Sequence, residues 1–363
     1  METVRPRRVK FITLLVTRSC NLRCSYCYVR SYSGGDMDLE TAKEIVGQAF
    51  QRAEGYDMIE FTFLGGEPFC AFPLVRELSE WVWAHPWPKD YCLTAVTNGT
   101  LIKGEIRDWL AANSHRFRLS LSYDGQGDSQ NLNRCRSDSR IDLDFFHRHW
   151  PDVPVKMTIT EASCVNMAGD IRSLKEKGVP VNDTFAGGMP PWSDKSLAVL
   201  DTQLAQLCDY ELEHPNPHPS DLLSIDLRPV LFPQGQRPFL CGAGVLRETY
   251  DYDGRFYPCH LVSPLVLEDE KAAALRETGG TFQKPKACRQ CFLDPICPQC
   301  DGNSFRLYGC FGRREEGMCR LFKHQLLFAC RFQAKRILRK PQIGQDDRLI
   351  LEAIGKIMSL LSE

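Results

Sequence analysis

No apolar run in this 363-residue chain approaches the roughly 20 residues that span a bilayer, so no membrane-spanning helix is expected. The polar start from Met1 to Lys10, followed by only the short run Phe11 to Val16, is too brief for a secretory signal peptide. An excess of either charge is missing too, since 45 Lys and Arg face 46 Asp and Glu. Without a basic field, neither nucleic acid nor an anionic membrane is expected as a partner. Internal repeats and low-complexity tracts are absent. Cysteine, in contrast, is abundant at 17 residues. In a chain without an export signal, that number points to a reducing cytoplasm and to thiols used for metal.

The length allows two or three domains. Short β-rich apolar runs at 10–16, 59–64, 91–97, 117–123, 155–160 and 179–185 alternate with amphipathic segments such as 39–53, 72–84 and 104–112. That alternation predicts an α/β fold with a parallel sheet covered by helices, and six such units favour a partial (β/α)6 barrel over a closed eight-unit one. Gly187-Gly188-Met189-Pro190-Pro191 reads as a loop, and His214 to Pro219 as a stiff connector near the domain end. From about Phe239 the composition changes, and nine of the 17 cysteines fall between Cys241 and Cys330. There metal must replace part of the missing apolar core. The expected domains are a barrel over 1–232, a cluster domain over 233–330 and a helical segment over 331–363. In the last, Ile350, Ile354, Ile357 and Leu361 form one helical stripe for packing.

Cys20, Cys24 and Cys27 stand in Cys-Asn-Leu-Arg-Cys-Ser-Tyr-Cys-Tyr just after the first apolar run. The spacing is too irregular for a helical face and reads as a loop folded around metal. Three thiolates suit an iron–sulfur cluster with one open iron, which can bind a substrate or cofactor. This Cys-x3-Cys-x2-Cys run, with aromatic Tyr26 before its third cysteine, resembles the signature of the radical S-adenosylmethionine enzymes. The resemblance implies a [4Fe-4S] cluster that cleaves S-adenosyl-L-methionine reductively to a 5′-deoxyadenosyl radical, with flavodoxin or ferredoxin as reductant. The protein then aims that radical at one C–H bond.

Leu64-Gly65-Gly66-Glu67-Pro68 follows the second predicted strand. Alone it also fits a strand-to-helix turn with a solvated glutamate. In the radical S-adenosylmethionine family the Gly-Gly-Glu-Pro segment binds the cofactor's amino group, which implies that Gly65, Gly66, Glu67 and Pro68 do so here. Thr97-Asn98-Gly99-Thr100, Ser122 in Leu-Ser-Tyr-Asp-Gly, and Arg134 after Asn131-Leu132-Asn133 resemble stretches of the anaerobic sulfatase-maturating enzymes. By that likeness Asn98 lies at the cofactor, and Ser122 and Arg134 hold its carboxylate or ribose. A capping serine and a surface arginine are the plainer readings.

Cys241-x12-Gly254-x4-Cys259 reads as a hairpin, and Cys288, Cys291, Cys297, Cys300 and Cys319 follow. Repeated Cys-x2-Cys alone also fits structural zinc. The whole arrangement resembles the seven-cysteine SPASM domain, which implies two auxiliary [4Fe-4S] clusters. One takes Cys288, Cys291, Cys297 and Cys319, and the other takes Cys241, Cys259 and Cys300. Two departures stand out: only two residues separate Cys297 from Cys300 where the family has three, and Arg247 occupies the place of an extra cysteine of the sulfatase-maturating enzymes. The second cluster is thus expected to have an open iron for substrate, unless Cys310 or Cys330 closes it. His260 stands where those enzymes carry a catalytic aspartate, and it is a candidate base or simply a hydrogen-bonded histidine. Asp251 and Asp253 read as turn residues before Gly254. Cys70, Cys92, Cys135, Cys164 and Cys208 lack metal spacing and read as buried inert thiols, with Cys70 notable for following Gly-Gly-Glu-Pro closely.

The resulting expectation is a radical S-adenosylmethionine maturase that acts on a peptide or protein and installs a thioether or carbon–carbon crosslink. With so little chain before the first strand, any leader peptide is expected to use the barrel rim, the SPASM surface or a second protein. Formylglycine formation on a sulfatase-type protein is the alternative within enzymes. A zinc-binding interaction protein without catalysis is the alternative outside them.

Overall fold

The computed structural model describes residues 7–30, 32, 34–232, 241–298 and 300–361. In chain order its elements are β1 (Val9–Thr17), α1 (Leu39–Gln51), β2 (Met58–Gly65), α2 (Phe72–Ala84), β3 (Asp90–Thr97), α3 (Gly104–Asn113), β4 (Phe117–Leu121), α4 (Asp128–Asn133) and α5 (Leu143–His149). There follow β5 (Val155–Ile159), α6 (Met167–Glu176), β6 (Val181–Phe185), α7 (Asp194–Glu213), β7 (Arg247–Tyr250), β8 (Phe256–Tyr257), α8 (Asp269–Thr278), α9 (Lys286–Arg289), α10 (Asp301–Tyr308), α11 (Glu316–Leu338) and α12 (Gln345–Leu361). All six predicted strands form, as does the alternation with helices. The expected domain boundary at 233 and the composition change at Phe239 fall outside the described residues.

The chain divides into two compact units. The first comprises Met1–Ser122, Arg134–Val155 and Phe239–Gly280. Its sheet runs β4-β3-β2-β1-β7-β8, parallel except for the final antiparallel β7–β8 pair. β1 is central, and its Leu14, Leu15 and Val16 are fully buried because both faces of a covered parallel strand must be apolar. Phe61, Phe63, Leu93 and Leu119 on the neighbouring strands complete this core. Local capping sets the helix starts: Asp38 accepts from the Thr41 amide at 2.9 Å and its hydroxyl at 2.6 Å, fixing where α1 begins. α2 begins with Pro73 in its first turn, where a missing N–H costs nothing.

The second unit comprises Tyr123–Asn133, Lys156–Pro238 and Thr281–Glu363. β5 and β6 form a two-stranded sheet of their own. The α12 stripe packs as expected: Ile357 and Ala353 are buried with Phe322 and Leu326 of α11 and with Leu227, and Ile350, Ile354 and Leu361 border that cluster. The connector after α7 is held by buried polar groups. Lys175 pairs with Glu211, Glu211 accepts from the Ser220 amide at 3.0 Å, and Asp183 accepts from the Ser220 hydroxyl at 2.6 Å.

Candidate functional site

The three-cysteine loop leaves β1 at Thr17, at the same sheet end where Gly65 closes β2, Thr97 closes β3 and Ser122 follows β4. Two backbone hydrogen bonds join the first two loops, from Gly66 N to Thr17 O at 3.0 Å and from Glu67 N to Ser19 O at 2.8 Å. This explains both glycines. A Cβ at Gly65 would lie 2.1 Å from Thr17 O, and one at Gly66 would lie 2.4 Å from Ser19 O. Both glycines thus let one loop backbone lie against the other.

Glu67 is buried at 1% exposure and ties three elements together. One carboxylate oxygen accepts from the Thr97 hydroxyl at 2.7 Å and from Phe69 N at 3.3 Å, and the other accepts from Asn98 N at 2.7 Å. Burial pushes its pKa up to about 7, against these donors and the charge of Arg134, which pull it down. The solvated-glutamate reading is therefore not what the fold shows. Asn98 in turn donates to Asn21 Oδ1 at 2.9 Å and stands 4.0 Å from Cys20 Sγ, so it braces the loop directly. Ser122 hangs from Thr97 O by its amide at 2.8 Å. The Arg134 guanidinium, buried at 6% exposure, sits 5.2 Å from the Tyr26 ring centre. All eight predicted cofactor residues thus belong to one compact unit with the three thiols.

Sequence reasoning missed several braces of this loop. Cys135, in left-handed backbone geometry at φ 55°, is exposed rather than buried. Its sulfur accepts from Arg23 N at 3.2 Å, and the same sulfur lies 3.0 Å from Arg23 O, which its S–H can reach. Cys70 is exposed as well, while Cys164 and Cys208 are buried as expected and Cys92 is intermediate. Partial burial of the sulfur of this exposed residue still pushes the Cys70 thiol up to about 11, with Glu67 and Cys20 adding to the rise and the Asn21 amide opposing it. The loop segment between Cys20 and Cys24 is therefore flanked by two further thiols. Arg18, two residues before Cys20, forms a buried ion pair with Asp251 at 2.7 Å. Asp251 also accepts from Gly254 N at 2.8 Å, so it is both a turn residue, as expected, and a charge partner that the spacing did not reveal.

In the same unit, Cys241 is exposed and Cys259 is partly buried against Leu15, Leu261 and Tyr28. Arg247 occupies β7 opposite Phe11, with its guanidinium 4.2 Å from that ring and Nε donating to Cys241 O at 3.1 Å. His260 packs on Tyr28 at 5.2 Å between ring centres, and burial, helped by Arg247, lowers its pKa to about 4. Its imidazole is neutral at physiological pH.

The second unit gathers the remaining thiols. Cys288, Cys291, Cys297, Cys300 and Cys319 line one cavity of about 90 Å³, together with Asp294 and Arg314. Successive backbone turns build it: Cys291 N to Cys288 O at 3.3 Å, Asp294 N to Cys291 O at 3.1 Å and Cys297 N to Asp294 O at 3.4 Å. Cys319 enters from the first turn of α11, and Cys300 caps α10 by accepting from Asn303 N at 3.5 Å. Burial raises the Cys297 thiol to about 11, and Cys319 and Cys291 reinforce the shift. Such thiols need metal to lose their protons at neutral pH. Lys284 and Arg314 both pair with Asp294, bringing positive charge to the cavity wall. Cys310 is buried but does not line the cavity, and Cys330 lies in the apolar cluster with Phe322 and Leu326, so packing accounts for Cys330. Among the described residues, no group of three or more His, Cys, Asp or Glu is set closely enough for a single metal ion.

Residues 14–134, a third of the chain, match the Radical SAM superfamily model. The GTP 3′,8-cyclase of Peptoclostridium acidaminophilum is 34% identical over 121 residues, 32% of this chain and 35% of the cyclase. The chain spans between a third and two-fifths of the length of the curated relatives it matches. Two kinds of solved structure share the fold across most of the chain. Native anSMEcpe with bound AdoMet, an anaerobic sulfatase-maturating enzyme, aligns at TM-score 0.68 and 19% identity over 95% of this chain and 99% of that one. Streptococcus suis SuiB bound to precursor peptide SuiA aligns at TM-score 0.56 and 16% identity over 85% of this chain and 75% of that one. The expected α/β class with a parallel sheet is the fold observed. No described helix is long and apolar enough to cross a membrane.

Proposed function

We propose that this chain is a peptide- or protein-modifying radical S-adenosylmethionine enzyme that forms a thioether or carbon–carbon crosslink. The observation that carries the reading is the pairing of the Cys20–Cys27 loop with the Gly65–Pro68 loop at one end of a parallel sheet. The donors present fit the groups this implies: three soft thiols on one loop for a [4Fe-4S] cluster, and a buried carboxylate beside them for a cationic amine. When bound, the reduced cluster and S-adenosyl-L-methionine supply a 5′-deoxyadenosyl radical.

The chain's own residues then have definable tasks. Cys20, Cys24 and Cys27 hold the cluster, and Gly65 to Pro68 set the loop that faces it. Glu67 offers a carboxylate whose ionised form a bound ammonium favours, since an opposite charge offsets its burial. Tyr26, Asn98, Ser122 and Arg134 line the same cofactor site, with Arg134 matched to a carboxylate or ribose oxygen. Cys288, Cys291, Cys297 and Cys319 take an auxiliary [4Fe-4S] cluster in the second unit. A second auxiliary cluster on Cys241, Cys259 and Cys300, with an open iron because Arg247 stands in place of a further thiol, rests on the sequence pattern. The barrel, cluster-domain and helical division, a flavodoxin or ferredoxin reductant and a cytoplasmic location belong to the same proposal.

A peptide partner is supported by neighbours of this fold whose structures hold peptides, anSMEcpe with Cp18Cys peptide and SuiB with SuiA. Formylglycine formation stays as the second reading because anSMEcpe aligns over nearly the whole chain. The neutral, ring-packed His260 in place of an aspartate weighs against it. Incubating the reduced, reconstituted enzyme with candidate peptides and S-adenosyl-L-methionine separates the two. Loss of two hydrogens with a fragmentation block marks a crosslink, and an aldehyde at Ser or Cys marks formylglycine. Zinc without iron or sulfide in the purified protein would instead support the non-catalytic alternative.

A further inference from the structure

The thiol cavity of the second unit has one charged neighbour whose hydrogen bonding its own protein surroundings do not complete. Arg314, in the segment between α10 and α11, lines that cavity beside Cys288, Cys291, Cys297 and Cys319. Its Nη2 donates to Asp294 Oδ1 at 3.2 Å. Its Nη1 is buried and has no hydrogen-bond partner among the described residues. The other charged groups of the wall are accounted for. The Arg313 guanidinium lies 4.3 Å from the Tyr308 ring centre, Glu315 accepts from Gly188 N at 3.2 Å, and Asp294 is shared by Arg314 and Lys284.

A buried guanidinium N–H without an acceptor is costly, so whatever the thiols hold is the natural source of that acceptor. Arg314 is close enough to act on them. Burial raises the Cys297 and Cys319 thiols, and the charge of Arg314 pulls both down. With Nη2 tied to Asp294 and the side chain largely buried, the planar fork is fixed in one orientation. Iron–sulfur clusters take N–H donors on their sulfurs, and those bonds help to set their reduction potentials.

We propose that Arg314 is a positioning residue for the auxiliary cluster of the second unit, donating its Nη1 N–H to a cluster sulfur and favouring the reduced form. This rests on the reading that Cys288, Cys291, Cys297 and Cys319 take a [4Fe-4S] cluster. Reduction adds a negative charge, and a fixed cationic donor in a buried wall stabilises that charge more than it stabilises the oxidised form. Lys284 supplies the internal comparison. It is buried and pairs with the same Asp294 carboxylate at 2.5 Å, but it does not line the cavity. Replacing either cation leaves Asp294 with the other, so neither variant strands that carboxylate.

The test is an EPR-monitored reductive titration of anaerobic, iron-loaded full-length protein, in which the signal lost in Cys291→Ala identifies the cluster of the second unit. In Arg314→Gln that cluster is expected to hold an electron about tenfold less favourably, a fall in midpoint of about 59 mV for one electron. Arg314→Lys, which keeps the charge but not the fork, should fall between Gln and wild type, and Lys284→Gln should shift the midpoint clearly less than Arg314→Gln. Pulsed EPR of wild type grown on isotope-labelled arginine should show an arginine nitrogen coupled to the reduced cluster, a measurement that does not depend on any variant folding. An unchanged midpoint in Arg314→Gln, an equal shift in Lys284→Gln, or no arginine coupling in wild type would each overturn the proposal. The reading beneath it fails by a different result: iron and sulfide content that does not fall in Cys291→Ala would remove the cluster itself, and the proposal with it.

Discussion

Replacing Gly66 by alanine probes how the cofactor end is built, because the new methyl group meets only backbone. The added Cβ would lie 2.4 Å from Ser19 O and 2.8 Å from both Ser19 C and Arg18 O. Bringing the nearest contact out to 3.0 Å, below which real Cβ contacts essentially do not occur, requires a shift of about 0.6 Å. No flexible side chain is available to absorb that shift. It falls on the residue next to Cys20 and on the bond from Glu67 N to Ser19 O, so the loop must move or that bond must lengthen. Overpacking of this kind costs about 1–3 kcal/mol. If the cost falls on the cluster-bearing state, iron is held roughly 5- to 150-fold less tightly. The assay is the rate of iron loss to a chelator from anaerobically reconstituted protein. Gly47→Ala is the matched control: it lies inside α1 with no atom near its added Cβ, and it should stabilise by about 0.5–1 kcal/mol and leave iron retention unchanged. Iron loss from Gly66→Ala at the wild-type rate would refute the reasoning.

Other outcomes follow from the same geometry. Cys135→Ala removes both contacts to Arg23 and should speed iron release from the first cluster several-fold, while Cys135→Ser, which keeps a donor and an acceptor, should fall nearer wild type; equal rates for the two would count against the brace. Asp251→Ala strands the buried Arg18 guanidinium and should cost about 3–5 kcal/mol in urea unfolding, against much less for Asp253→Ala, whose partner Arg255 is exposed. Ile357→Ala opens a hole beneath α12 and should cost about 2–5 kcal/mol without changing the iron content of the first cluster. Asp183, held by Ser220 and Leu222, has its pKa raised by burial to about 6 from an ordinary 3.8. The folded state therefore binds its proton more tightly than the unfolded state, and stability from this group is present below pH 4 and lost as pH rises through 6. Asp183→Asn should gain on wild type by about 2–3 kcal/mol between pH 4 and pH 7, seen in urea midpoints, and a pH-independent difference would contradict this.

Strands and helices of the sheet unit were legible because each carries its own signal. β2 alternates half-buried and buried residues, and α2 begins with proline in its first turn and runs over the predicted 72–84. The thiol loop was legible because cysteine spacing survives without knowledge of the fold. Partners distant in sequence were not. Nothing in the polar run Arg247 to Tyr250 announces a strand pairing in parallel with β1, more than 230 residues earlier. The same long separation hid the Arg18–Asp251 pair. Glu67 was recognised by its motif, but its three donors come from a different strand end and from its own turn, which only the register of β2 against β3 brings together. Cys70 and Cys135 lack a repeating spacing, so their exposure beside the loop became visible only in three dimensions. Cys330 shows the reverse case, a cysteine near metal-type spacing whose helix turns it into an apolar core.

The most direct test of the central claim is chromatographic detection of 5′-deoxyadenosine from anaerobic, iron-loaded protein given dithionite and S-adenosyl-L-methionine. The account predicts that wild type forms it, that Cys20→Ala, Cys24→Ala and Cys27→Ala each abolish it, and that Cys164→Ala does not. No 5′-deoxyadenosine from the iron-loaded wild type with a peptide substrate present, or undiminished formation by those three variants, would contradict it.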